Sequence, residues 1–219
     1  MLEKQVKSKQ RVADHGEVFT AEREVKAMCD LVKQETERID SRFLEPACGE
    51  GAFLTEILRR KLAVVKRQYG KNPADYERYA VLAVASLYGV DILEDNAAIC
   101  RQRLFGIWNA EYNVNAKSQV NEQCRDVVRF ILSKNIICGD ALTMLQNDGS
   151  PIEFAEWSLV TGDQIKRRDF ALNELLDGHD EQTSLFHIGW EYDEEVQAFI
   201  PSPVREYPLT DYRRLAEHE

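Results

Sequence analysis

No apolar run in this 219-residue chain approaches the roughly 20 residues that a membrane-spanning helix needs. The N-terminus, Met1-Leu2-Glu3-Lys4-Gln5, is polar and lacks the apolar stretch of a signal peptide, so a cytoplasmic location with no membrane partner is expected. The five cysteines, Cys29, Cys48, Cys100, Cys124 and Cys138, form no CxxC pair. Their odd number argues against a disulfide framework, and scattered thiols usually serve as small buried apolar residues. His15, His179, His187 and His218 show no metal-ligand spacing, so no metal is expected. There is no internal repeat. The chain has no GxxxxGK[ST] loop, which excludes a P-loop nucleotide triphosphatase, and no GxGxxG, which weakens a nicotinamide cofactor.

A basic surplus is missing as well. The net charge is −10, and it is unevenly spread. From Glu174 to Glu219 twelve acids face three arginines, while the rest of the chain is nearly neutral. Duplex DNA binders normally present a basic face, because phosphate contacts supply much of their affinity. Strong DNA binding by this chain alone is therefore disfavoured.

What is present is an alternation of helical and extended patterns. Residues 1–15 are polar and expected to be mobile. Helices are predicted over 22–34, 52–69, 73–85, 93–108 and 122–132, with apolar residues at helical spacing. Short strands are predicted over 41–44, 86–92, 135–138 and 154–160. Residues 109–120 read as a polar loop. This alternation predicts an α/β protein with a parallel, layered sheet. Beyond Arg168 the pattern weakens. A short helix over 169–176, short strands over 184–190 and 196–200, and a loose, extended end around Pro201-Ser202-Pro203 and Pro208 are expected. The division is thus an N-terminal stretch 1–15, a domain over 16–168, and an acidic segment over 169–219.

The chemistry concentrates in Phe43-Leu44-Glu45-Pro46-Ala47-Cys48-Gly49-Glu50-Gly51-Ala52-Phe53-Leu54. A strand runs into an acidic residue, then a glycine turn, then an amphipathic helix. Gly49 and Gly51 lack a Cβ, so the backbone can turn tightly and a ligand can lie against it, and the next helix begins with free N–H groups. Glu45, Asp91 and Asp140 follow three successive strands and place carboxylates on one rim, where ligands of open α/β sheets bind. Each glycine or carboxylate alone reads more readily as a plain turn or a solvated cap; the series points to a pocket.

The segment Leu44–Leu54 resembles the S-adenosylmethionine-binding loop of adenine-N6 DNA methyltransferases of restriction–modification systems. His15-Gly16-Glu17-Val18-Phe19-Thr20 is similar to the upstream segment that folds over the methionine end of the cofactor in that family. Tyr88-Gly89-Val90-Asp91-Ile92 and Ile137-Cys138-Gly139-Asp140-Ala141-Leu142 resemble the next two motifs. The resemblance spans about residues 11–163. It implies a Rossmann-like S-adenosylmethionine methyltransferase fold, truncated after the fourth strand. It also implies a cofactor site built from Phe19, Thr20, Glu45, Pro46, Ala47, Cys48, Gly49, Gly51, Phe53, Asp91, Ile92, Asp140 and Ala141. Asp91 would hold the ribose and Asp140 would face the adenine amino group. Glu50 stands where a serine is common.

The family's fourth strand ends in an [Asn/Asp/Ser]-Pro-Pro-[Tyr/Phe/Trp] turn, whose acceptors aim the target amino group and whose ring stacks on the flipped base. The matching stretch here is Trp157-Ser158-Leu159-Val160-Thr161-Gly162-Asp163-Gln164-Ile165-Lys166. Asp163 takes the polar place, but both prolines and the ring are gone. A base needs more than one acceptor to be aligned, and a plain loop aspartate is the simpler reading of Asp163. Beside it, Lys166, Arg167 and Arg168 are candidate contacts for passing phosphate. The basic cluster Arg59, Arg60, Lys61, Lys66, Arg67 and Lys71 reads first as a solvated helix face. Three functions compete. One is a DNA adenine-N6 methyltransferase subunit or degenerate relative that needs a protein partner or a second copy. Another is a non-catalytic regulatory or assembly subunit of a restriction, defence or mobile-element system. The third is a methyltransferase acting on small molecules or proteins.

Overall fold

The computed structural model describes residues 7–15, 17–117, 120–173, 190–193 and 198–217. Helices α1 (Lys9–His15), α2 (Glu22–Leu31) and α3 (Lys33–Thr36) lead into strand β1 (Phe43–Glu45). Helices α4 (Ala52–Tyr69) and α5 (Pro73–Ala85) cross to β2 (Leu87–Asp91), and α6 (Glu94–Asn115) and α7 (Glu122–Asn135) cross to β3 (Ile136–Asp140). The three strands pair in parallel, β1 to β2 to β3. The two-residue β4 (Leu145–Gln146) closes the far edge antiparallel. The chain is therefore a mixed α/β protein with a mostly parallel four-stranded sheet.

Local signals set the helix starts. Asn72 caps α5 by accepting from the Ala74 amide at 3.1 Å, with Pro73 in the first turn, and Asn121 caps α7 through the Cys124 amide at 2.7 Å. β2 is buried along its whole length, as a strand covered on both faces must be. Its residues alternate. A Cβ on Gly89 would point at Cys48 and Leu54, on the α4 side. Tyr88 lies on the other face, where its ring meets Phe154 edge-on at 5.4 Å and its hydroxyl donates to the Ala155 carbonyl.

Phe154 and Ala155 belong to a hairpin that the sequence pattern did not separate from the parallel sheet. β5 (Glu153–Thr161) turns at Gly162 and Asp163 and returns antiparallel as β6 (Gln164–Ala171). With β9 (Arg205–Glu206) and β10 (Thr210–Asp211) it forms a second sheet. The expected fourth parallel strand is thus an antiparallel one. Its neighbour in sequence offers a complementary strand across a two-residue turn, whereas a parallel partner requires a crossover of a dozen or more residues.

Other expectations shift for identifiable reasons. Residues 109–115, read as loop, continue α6, because Trp108 and Tyr112 stack at 4.6 Å and both are buried. The helix expected over 169–176 gives way to the end of β6, with a helical turn beginning only at 172–173; residues 174–176 lie outside the described residues. The late strand expected over 184–190 overlaps β7 (Trp190–Asp193) only at Trp190, and the one over 196–200 overlaps β8 (Ala198–Pro201); β7 and β8 pair antiparallel, and 184–189 and 196–197 lie outside the described residues. Residues 202–209, around Pro203 and Pro208, are irregular apart from β9 and none is buried, as expected, but the chain then packs. A 3-10 helix (Tyr212–Glu217) packs on α7 and buries Tyr212 and Leu215.

β1 is the unusual strand. The Phe43 amide bonds the Ser86 carbonyl, so the N–H and C=O of Leu44 point away from β2. Among the described residues no strand lies on that side, and Leu44 is 44 % exposed. An open edge of this kind is a ready template for another strand.

Beneath β1 lies Lys61, fully buried on α4. Its Nζ donates to the carbonyls of Ile39 (3.1 Å) and Ser41 and to Ser86 Oγ (2.6 Å). Burial outweighs these contacts and pulls its pKa from 10.5 down to about 7. Between those values the unfolded chain binds more protons than the folded one, so stability rises with pH across that window and the ammonium costs most below pH 7. The expected gain is on the order of 3 kcal/mol from about pH 6.5 to about pH 9.5. Urea denaturation at both pH values checks it, and Lys61→Met should flatten the slope.

Candidate functional site

The segment 46–51 leaves β1 at the carboxyl end of the sheet and turns into α4. Three bonds from backbone amides fix it: the Cys48 amide to the Val90 carbonyl at 2.8 Å, the Gly51 amide to the Cys48 carbonyl at 2.8 Å, and the Gly49 amide to the Asp91 side-chain Oδ2 at 2.8 Å. Gly49 (φ +51°) and Gly51 (φ +79°) are left-handed. At Gly51 a Cβ would sit 2.6 Å from Cys100 Sγ, so both conformation and space demand glycine. The Cys48 thiol, buried and influenced by the Cys100 thiol, is held well above the ordinary thiol range, which keeps it an inert wall.

A cavity of about 460 Å³ opens against this loop. It brings together seven of the expected residues, Phe19, Thr20, Glu45, Ala47, Cys48, Gly49 and Phe53. Pro46 and Gly51 shape the turn without lining the cavity. Asp91, Ile92, Asp140 and Ala141 sit along the same rim but outside it. Ile92 is half exposed. Asp140 Oδ1 accepts from the Leu142 amide at 2.8 Å, which shapes the turn containing Ala141.

Asp91 is 8 % exposed. Besides the Gly49 amide, its carboxylate accepts from the Leu93 amide at 2.9 Å and from Asn96 Nδ2 at 3.2 Å. It therefore ties the glycine turn to the start of α6. Over it lies the N-terminal segment expected to be mobile. Arg11 forks onto Glu17 (2.6 and 2.7 Å) and reaches Asp95 (2.7 Å) and Asn96 (3.1 Å). Lys7 joins Glu50 and Asn96, each at 2.8 Å. Asn96 Nδ2 also donates to Glu17 at 2.8 Å. Arg11 draws the Asp95 carboxyl down to about 2 and lowers that of Glu17. Asn96 has no sequence signal beyond its place five residues after Asp91, in the first turn of α6.

The residues expected to act on a substrate lie elsewhere. Asp163 sits in the β5–β6 turn, where Arg78 (2.9 Å) and Arg213 (3.3 Å) hold its carboxylate and its carbonyl accepts from the Tyr212 amide. It anchors the C-terminal 3-10 helix and does not line the cavity. Because β5 leaves the parallel sheet, its far end is carried to α5 and away from the glycine turn. Lys166 pairs with Glu206 and Arg168 with Glu156. Arg167 is buried, bidentate on Asp169, with the Tyr207 ring 4.0 Å from its guanidinium. All three cations of this stretch are thus engaged in ion pairs. The basic cluster of α4 likewise divides: Lys61 is buried and Arg60 pairs with Glu56 and Asp30, while Arg59 reaches the cavity.

Two guanidiniums, Arg59 and Arg103, and four carboxylates, Glu22, Glu45, Glu50 and Glu56, line the cavity. Burial pushes the Glu45 carboxyl up from its ordinary value. The site can thus receive a ligand that lies against backbone and presents charge of both signs. Among the described residues no cluster of histidine, cysteine or acidic side chains could hold a metal ion, and no helix is long and apolar enough to cross a membrane. Comparison of the chain with family models, with curated proteins and with solved structures finds no match.

Proposed function

We propose that the chain is an S-adenosylmethionine-binding subunit of the DNA adenine-N6 methyltransferase kind, which methylates DNA only together with a protein partner. The observation that carries this reading is the Gly49–Asp91 bond, which fixes a left-handed glycine turn against a charged cavity at the carboxyl end of β1. The turn lets a ligand approach the backbone at Gly49, which lines the cavity and where a Cβ would project toward the Phe19 ring. Glu45, half buried and without a cation beside it among the described residues, suits a positively charged ligand group. Phe19 and Phe53 supply apolar wall, and Asp91 has acceptor capacity left on Oδ2 for a ribose hydroxyl. The cofactor would supply an electrophilic methyl on a sulfonium, and the protein's task is then positioning.

The need for a partner follows from what this chain spends elsewhere. Aligning an exocyclic amino group takes several acceptors, and the carboxylate of Asp163 is engaged by two arginines. The open edge of β1 offers a place where a second polypeptide could complete the sheet. The paired cations of β6 and the acidic balance favour weak DNA contact by the isolated chain. The second reading, a non-catalytic regulatory or assembly subunit of a restriction, defence or mobile-element system, draws its support from the same engagement of Asp163.

Calorimetric titration with S-adenosylmethionine tests the binding. Wild type should release heat, and Asp91→Ala should weaken binding about tenfold or more, the equivalent of a charged hydrogen bond lost from the turn. No heat with wild type would end the reading. Transfer of labelled methyl to DNA by the chain alone, lost in Asp163→Ala, would show that no partner is needed.

A further inference from the structure

A second cavity, of about 520 Å³, opens at the amino end of the sheet, opposite the glycine turn. Arg42 before β1, Ser86 before β2, the end of α4 and strand β5 enclose it. Its inner wall is apolar: Val64 and Leu82 lie with Tyr69 and Tyr79, whose rings stack at 3.8 Å. Its rim is charged but matched within the protein. Glu37 pairs with Lys33, Arg38 with Asp40 at 3.2 Å, and Arg42 with Glu156. The remaining wall is the outer edge of β5 at Trp157 and Leu159. The Tyr207 and Val204 amides donate to the carbonyls of Arg167 and Asp169 on the far side of β6, so the alternate residues Lys166 and Arg168 face β5 and meet Ser158 and Glu156. Trp157 and Leu159 therefore turn their N–H and C=O groups away from β6. The next outward carbonyl, that of Ala155, accepts from the Tyr88 hydroxyl at 3.1 Å. The N–H and C=O groups of Trp157 and Leu159 have no hydrogen bond among the described residues, although Trp157 is only 4 % exposed.

We propose that this cleft takes an extended, uncharged, apolar peptide segment of a protein partner, which adds as a strand to the outer edge of β5. Backbone groups of buried residues are almost always paired. A water molecule can meet one such group. An extended chain meets the N–H and C=O of the same residue together, and its alternate side chains cover the apolar wall. The rim carries two acids and two bases, each already paired, so it holds no net charge for a phosphate, a nucleic acid or an acidic segment to neutralise. The cleft and the glycine turn lie at opposite ends of the same parallel strands, so a docked segment leaves the other cavity open. The assignment does not depend on what that other cavity binds.

The test selects a phage-displayed library of random linear peptides on the full chain, without S-adenosylmethionine, so its outcome is separate from that of the methyltransferase reading. Selected peptides should alternate apolar residues. The tightest is then synthesised with a single N-methyl group walked along its backbone, and binding is read by fluorescence anisotropy. N-methylation at alternate positions, those whose N–H meets β5, should weaken binding roughly fivefold each, with the positions between them unchanged. Bound peptide should slow amide exchange at Trp157 and Leu159. Leu159→Pro removes an outward N–H and no rung of the β5–β6 ladder, and should weaken binding by a similar factor; if that variant misfolds, the N-methyl series still decides. No peptide enriched over selection without the protein, a loss that ignores the two-residue period, or protection at other amides overturns the proposal. Self-association of the free chain that already protects Trp157 and Leu159 overturns it too, since the occupant is then a second copy.

Discussion

The Glu77→Ala protein is expected to lose roughly 3–5 kcal/mol of stability, the usual consequence of removing one partner from a buried charged cluster. Glu77 is buried on α5 and is the point where four separate segments meet. Its carboxylate accepts from Tyr112 of α6, from Tyr212 at 2.6 Å and Arg213 at 2.9 Å in the 3-10 helix, and from Asn121 before α7. Burial first, and the neighbouring carboxylate second, raise the Tyr112 and Tyr212 hydroxyls above the usual range, so both stay protonated and donate. Truncation leaves two phenols and a guanidinium without their acceptor. For a chain of this length the melting temperature should fall by roughly 10 °C, at about 2–4 °C per kcal/mol. Glu77→Gln keeps the shape and one acceptor and should lose less. Thermal denaturation by circular dichroism measures both, and amide exchange should rise first in residues 212–217. A melting point within 2 °C of wild type, on the order of experimental scatter for a 1 kcal/mol effect, would mean that this cluster does not hold the C-terminus in place.

The second large effect is expected at Gly51. Alanine there meets two independent penalties. The left-handed conformation, φ +79°, costs an L-residue roughly 1–2 kcal/mol. The new methyl would also lie 2.6 Å from Cys100 Sγ, and overpacking of this kind costs roughly 1–3 kcal/mol. The turn can relax only by lifting away from α6, which breaks the Gly49–Asp91 bond behind the cavity. Gly51→Ala should therefore unfold at lower urea and also lose ligand binding. The double variant Gly51→Ala/Cys100→Ala separates the penalties: making room should return the packing part and leave the conformational part, a coupling of roughly 1–2 kcal/mol. If Gly51→Ala binds and melts as wild type does, the tight turn is not a requirement of the site.

Much of the architecture was legible in the chain because it is written in local terms. The helices over 52–69 and 73–85 begin and end where the sequence places them, since Gly51, Asn72 and Pro73 are start signals whose action does not depend on distant partners. The three parallel strands were legible through the same punctuation. Residues 109–115 were not, because Tyr112 and Asn115 look polar until Glu77, Tyr76 and Trp108 are known to surround them. The site was half legible. The family resemblance pointed to Phe19, Thr20, Glu45 and Phe53, which line one cavity, whereas Arg11 and Asn96 carry no pattern that marks them and Arg59 is one of a basic cluster that reads as a solvated helix face.

The glycine turn, the carboxylates after each strand and the alternation that yields a parallel sheet are local properties of the chain, because each depends on φ, on hydrogen-bonding capacity or on periodicity within a few residues. Only the folded arrangement turns β5 back on β6, binds Asp163 to Arg78 and Arg213, and leaves β1 with an open edge among the described residues. Those outcomes depend on which partner lies nearest once the chain is folded. Contacts such as Arg213 to Glu77 or Arg11 to Asp95 join positions whose separation along the chain leaves no local trace.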